Sequence, residues 1–359
     1  MAEAVLSKRA LNRSLLARQM LDARVKIPAA EAIEKLVGMQ AQEPRDPYVG
    51  LWTRLDGFRP QELAELLQKR KAVRATMMRV TIHLMTTRDY LALRTLMQPI
   101  VQRQFTTRLV GLGPAEIEEV AVLARTILTE SPSGYSELRR RLAEHWPDRD
   151  AESMARSVLS VLPLIQPTPR GLWTETGRSM LTTSEAWLGR APSLRTSISK
   201  LVLRYLAALG PATVADMANW SRLTGLREVF ERLRPKLRTF RDENGRELFD
   251  VADAPFPDAE TPVPVRFLPI YDNCVLGHAD RSRIVSHRVV EGDPVGWSSY
   301  LVDGFLRGTW KLERKGKRTT LRIDGKLSKK EQAAVAQEAE ALASFLVDDA
   351  PSPGIEFVT

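Results

Sequence analysis

A single cysteine, Cys274, stands in a chain of 359 residues. No intrachain disulfide can form, and any zinc site with two or more cysteine ligands is excluded. Long apolar runs are missing too. No stretch approaches the roughly 20 residues that a membrane helix needs. The first residues, MAEAVLSKRALNRSLLARQML, mix charge with apolar residues at helical spacing and lack the layout of a secretory signal. These absences lead us to expect a cytoplasmic protein of a reducing compartment, without membrane partner or cofactor and acting as a monomer.

What is present is positive charge. Lys and Arg outnumber Asp and Glu by 53 to 44, a net charge of +9. Such a surplus favours a polyanionic partner, although a merely solubilising surface would look the same. Apolar residues make up 43%, enough for a sizeable interior, and the length suits two or three domains.

No strict repeat is visible, but helical segments are repeatedly followed by short β-rich segments around a turn. That order is the mark of a winged helix. The expected fold is therefore α+β and helix-rich. Tandem winged-helix units would occupy residues 1–110, 111–190 and 191–255, with a C-terminal β-rich region at 256–359. In the first unit, helices are expected at 7–24, after Pro28 and after Pro60, and the stretch 73–85 reads as the strands of a wing. In the second, helices are expected at 114–130, 135–145 and 151–162, with a short wing at 165–173. In the third, Ser193 is expected to cap a helix over 194–209, stopped by Gly210-Pro211. Thr213 caps the next helix, 214–220, and a third helix spans 226–234. Asn244-Gly245 then makes a hairpin of residues 237–251. Residues 253–264 read as a linker, 300–323 as an antiparallel pair turning near 315–317, and 329–347 as a helix.

The clearest local oddity is Gly38-Met39-Gln40-Ala41-Gln42-Glu43-Pro44. Gln40 and Gln42 project to one side if the backbone is extended. Two carboxamides on one side can hold a water or a polar ligand, or can simply satisfy loop backbone groups.

The same segment strongly resembles the AlkZ-like DNA glycosylases from Val37 to Trp52. The resemblance continues through residues 74–84, returns at 268–281 and appears again at 302–310. It implies tandem winged helices around a DNA-sized channel and a catalytic Gln-apolar-Gln motif, matched here by Gln40 and Gln42. A sister branch carries Gln-apolar-Asp. The glutamine at position 42 resembles the branch associated with bulky alkyl lesions and interstrand crosslinks. The implied partner is duplex DNA carrying alkylated bases. A winged-helix regulator without catalysis is the alternative, and the glutamine pair argues against it.

Other residues carry weaker signals. His83, on the expected wing strand, either fills the core or faces the glutamines or a phosphate. Asp46 is either an auxiliary carboxylate or a cap for the turn before Pro47. Asp272, Cys274, His278 and Asp280 match no common zinc pattern and read as structural, with Arg281 and Arg283 as phosphate contacts. His145 and His287 carry no pattern. Arg307, Lys311, Arg314, Lys315, Lys317, Arg318 and Arg322 face one acid, Glu313, in a basic hairpin. It either guards a sheet edge or tracks phosphates, and with the resemblance we favour the second. Arg222 and Arg227, on or beside the helix expected to recognise DNA, would contact phosphates of the same duplex.

Overall fold

A computed structural model describes residues 4–107, 109–193, 196–285, 296–315, 318–347 and 353–358. The Ser7 hydroxyl accepts from the Ala10 amide at 3.1 Å and starts a helix over Lys8–Arg18. This helix ends well before residue 24, because Met20 adopts a φ of 54° that no helix continues. Just ahead, Val5–Leu6 pairs in parallel with Leu237–Asp242 of the third unit. Arg18 also forms a buried two-bond ion pair with Asp250, at 2.5 and 2.7 Å. The start of the chain is thus fastened to residues more than two hundred positions away.

Helices follow at Ala29–Lys35, Asp46–Trp52 and Pro60–Gln68. The stretch around 80 does form a hairpin, Ala72–Thr76 with Ile82–Thr86. It is not an exposed wing. Met39–Gln40 pairs along one side and Leu164–Gln166 along the other, inside a six-stranded sheet. Four of the five residues in Ala72–Thr76 are buried, which fits a strand covered on both faces. The helices Pro114–Glu130, Tyr135–His145 and Ala151–Val161 join this sheet through Met180–Thr183 and Ser133–Gly134. The expected short wing at 165–173 is only half a strand pair. Pro167 and Pro169 lack amide donors, and the return strand starts at Met180.

A 20-residue helix, Thr87–Thr106, occupies a stretch where no element was expected. Thr86 caps it, and Tyr90, Leu93, Met97, Ile100 and Val101 form its buried face. Pro99 lies inside it and masks the pattern in sequence.

The third unit has helices Ile198–Leu209, Val214–Ser221 and Leu226–Leu233, then a hairpin of Leu237–Asp242 and Glu247–Val251. The first helix is capped by Ser197, not Ser193. Thr213 and Asp216 form a reciprocal cap on the second. The C-terminal region is a five-stranded sheet of Arg266–Leu268, Ser299–Val302, Phe305–Lys315, Arg318–Asp324 and Gly354–Val358. Three strands, Ser299–Val302, Phe305–Lys315 and Arg318–Asp324, stand where a pair is expected over 300–323. Asp303-Gly304, with φ of 48° and 82°, supplies the tight turn between Ser299–Val302 and Phe305–Lys315. Helix Lys329–Leu346 lies over the sheet, and its Phe345 stacks on Trp52 of the first unit at 5.5 Å. One apolar core runs from Leu15 through Trp220 to Leu301, so the first and third units and the C-terminal region share an interior, while the helices of the second unit pack around a core of their own with Val120, Leu138 and Val158.

Candidate active site

The Gln40-Ala41-Gln42 segment is held from every side. Helix Ala29–Lys35 gives way to it through Val37 and Gly38, whose φ values are 55° and 89°. A side chain at Gly38 would lie 2.1 Å from the Met85 sulfur, so only glycine fits. Asn273, from the C-terminal region, donates to the Gly38 carbonyl at 2.9 Å. Gln40 pairs with His83 in the sheet, and the Ala41 amide donates to Ile82 at 2.7 Å. The Ala41 carbonyl accepts from buried Arg74 at 2.6 Å. Arg74 reaches it past Gly171, where an added Cβ would stand 2.7 Å from the arginine Cδ. Burial and the nearby Arg170 charge pull the Arg74 guanidinium down to about 10.

On this frame Gln40 and Gln42 face one another. Gln40 Nε2 donates to Gln42 Oε1 at 2.8 Å. Gln40 is buried and Gln42 is exposed, so the pair has one fixed end and one end open to solvent. A third residue, missed in sequence, completes the row. Arg79 Nη2 donates to Gln40 Oε1 at 2.9 Å, and Arg79 Nη1 donates to the Trp220 carbonyl at 3.2 Å. The available signal was a lone charge in the apolar stretch 77–85.

His83 is fully buried behind the pair. Its Nδ1 lies 3.0 Å from the Thr81 carbonyl, which can only accept, so Nδ1 carries the proton. Its Nε2 is then left to face Arg79 at 3.4 Å. Burial, reinforced by the Arg79 charge, pulls the imidazole down to about 3 and keeps it neutral. It makes no hydrogen bond to either glutamine among the described residues.

Asp46 opens helix Asp46–Trp52, yet its side chain caps nothing. Its Oδ2 is buried without a partner. Burial raises its carboxyl to about 8, with Glu43 and Asp272 adding to the rise. Asp46 and Gln40 line one small cavity with Gln19, Arg54, Asp272 and Asn273. At about 10 Å³ the cavity is near the size of one water.

The segment 272–280 is engaged internally. Asp272 pairs with Arg54 and caps the helix Asn273–Leu276. His278 lies 2.8 Å from the Leu209 carbonyl, and Asp280 pairs with Arg246. Arg283 is buried and donates to the Pro211 carbonyl at 2.8 Å, which leaves it no face for a phosphate. Arg281 is half-buried, and His287 lies outside the described residues.

The basic hairpin projects from its sheet. Ser299–Val302 pairs no further than Thr309, and Gly354–Val358 begins pairing only at Thr320. Among the described residues, 314–315 and 318–319 therefore pair only with one another as a short two-stranded ribbon, while 311–313 form the edge of the sheet beside 320–322. Arg307 pairs with Glu331, while Lys311 and Arg322 share Glu313. Arg314, Lys315 and Arg318 are exposed and pair with no acid among the described residues. Lys317 and the turn residue Gly316 lie outside the described residues. Arg222 is exposed just past helix Val214–Ser221 with φ 63°, and Arg227 is exposed 4.0 Å from Glu231.

The family model described as "DNA glycosylase AlkZ-like" matches residues 33–345. No curated protein sequence matches the chain. Among solved structures, the Streptomyces sahachiroi DNA glycosylase AlkZ is similar, with a TM-score of 0.74 at 19% identity. The match covers 99% of this chain and 100% of that one, and it shows a common fold. With the model matching most of its length, the chain belongs to the AlkZ-like DNA glycosylase family.

Proposed function

We propose that the chain is a monofunctional DNA glycosylase. Its substrates are cationic alkylated purines in duplex DNA: N7-alkylguanine, bulkier adducts and, by extension, interstrand crosslinks. The observation that carries this reading is the hydrogen-bonded pair Gln40–Gln42. A carboxamide is neutral and a poor base, but its oxygen can accept from a water and turn a dipole toward a developing positive sugar. That suffices when the leaving group is already good. An N7-alkylated purine carries a positive charge. As the C1′–N9 bond breaks, its electron pair moves to the base, which departs neutral and needs no protonation. Water adds to the oxocarbenium carbon and gives its proton to the solvent. Positioning supplies much of the acceleration.

Duplex DNA as partner is supported by the projecting ribbon of Arg314, Lys315 and Arg318 and by exposed Arg222 and Arg227. Phosphate contacts of this kind hold a duplex without reading its sequence. A bulky or crosslinked base does not suit a tight pocket, so we favour excision without full extrusion.

The test is release of free base. The protein should liberate 7-methylguanine from a duplex containing that lesion and leave uracil in place, since neutral uracil leaves poorly without acid help. Efficient uracil release would overturn this mechanism. Binding to the lesion duplex without any base release would make the chain a non-catalytic DNA-binding protein.

A further inference from the structure

Arg79 occupies the hairpin turn between Ala72–Thr76 and Ile82–Thr86. Its φ is 54° and that of Val80 is 56°, both in the left-handed region that residues with side chains rarely hold. For valine, branched at Cβ, this is a marked outlier of the kind that clusters at functional sites. The turn aims the guanidinium at Gln40. The Trp220 carbonyl and neutral His83 hold it there, the first from the third unit. No carboxylate pairs with Arg79 among the described residues. Burial and the Arg222 charge lower the guanidinium to about 10, which leaves it ionised at neutral pH.

A guanidinium only donates. Gln40 must therefore turn its oxygen to Arg79, which leaves its amide nitrogen facing Gln42. That nitrogen also only donates, so Gln42 must answer with Oε1. The order of both amides is thus decided by the residue at the buried end. Without the guanidinium, Gln40 is free to turn end for end. Gln42 would then present its own nitrogen to the pair and point its oxygen elsewhere. We propose that Arg79 is the positioning residue of this site. It fixes Gln42 Oε1 beside Gln40, with one lone pair left for a water or for positive charge developing on the sugar. The inference rests on the glycosylase reading above. A cation close to a cationic transition state is itself unfavourable. Removing a residue that acted only through its charge would therefore speed the reaction, whereas removing a positioning residue slows it.

The experiment measures single-turnover release of 7-methylguanine by wild type, Arg79→Met, Gln40→Ala and the double variant. Arg79→Met should lose about 10²-fold in rate, the cost of a small misplacement. Its affinity for the duplex should stay within about 3-fold, since a binding role would move Kd with the rate. The double variant should match Gln40→Ala alone, because Arg79 works through Gln40. Free guanidinium ion should restore part of the Arg79→Met rate and none of the Gln40→Ala rate. Independent losses that multiply, a faster Arg79→Met enzyme, or a loss of affinity equal to the loss of rate would each overturn the proposal. If circular dichroism shows Arg79→Met unfolded, Arg79→Lys takes its place. The lysine keeps a donor but not the bridge from Trp220 to Gln40, so it should fall between wild type and Gln40→Ala; a rate equal to wild type would overturn the proposal. If wild type releases no base, the glycosylase reading fails by itself. The amide order is then read from the side-chain ¹⁵N resonances of Gln40 and Gln42, which should both move in the Arg79 variant. Resonances that stay in place would overturn the hydrogen-bonded row.

Discussion

Arg54 and Asp272 meet in a two-bond ion pair, at 2.9 and 2.7 Å, with side chains only 1% and 3% exposed. It joins the turn after helix Asp46–Trp52 to the segment whose Asn273 holds Gly38. Removing one partner of a buried pair leaves the other charge stranded, at a cost of about 3–5 kcal/mol. Asp272→Ala should lower the unfolding free energy by that amount in denaturant titrations. A loss below about 1 kcal/mol would place the pair among solvated ones.

Asp46 should make stability depend on pH. Its carboxyl is raised from 3.8 to about 8 in the fold. Between those values the native state keeps a proton that the unfolded chain has released. Its contribution is therefore fully present below pH 4 and is lost as pH rises to about 8. Asp46→Asn cannot titrate there. Chemical denaturation from pH 4 to pH 9 should show the variant gaining on wild type until about pH 8 and holding level above it. A constant difference across the range would mean that Asp46 ionises normally.

The basic ribbon should grip duplex DNA through its phosphates. Replacing Arg314, Lys315, Lys317 and Arg318 with neutral residues should weaken binding to lesion and normal duplex alike. The salt dependence should flatten by up to about one unit of slope for each phosphate that the protein no longer neutralises. Glu313, held by Lys311 and Arg322, would remain and add repulsion. An unchanged slope in a folded variant that aggregates more readily would instead make the ribbon an edge guard.

What could be read from the sequence had local causes. Asn244-Gly245 needs a positive φ and turns the third unit's hairpin where expected, with Gly245 at 77°. Thr213 announces a helix start in the same local way. Gln40 and Gln42 do meet, as their spacing suggests, although the strand ends at Gln40 and Gln42 stands on a bend. What stayed hidden depends on distant parts of the chain. Arg79 reaches Gln40 from a turn in which two residues are left-handed, and its partners there, the Trp220 carbonyl and His83, include one from 141 positions away. The 73–85 hairpin looked like a free wing because nothing local announces the strands that flank it. Asp46 reads in sequence as an auxiliary carboxylate or a cap; it caps nothing, and its oxygen is buried, where desolvation rather than a backbone amide governs it.

The most direct test of the account is the separation of chemistry from binding at the glutamine pair. Gln40→Ala and Gln42→Ala should each lower the single-turnover release of 7-methylguanine while leaving duplex affinity nearly unchanged, the pattern of groups that act in the transition state. Release at the wild-type rate, or a loss of affinity equal to the loss of rate, would contradict a catalytic role for Gln40 and Gln42.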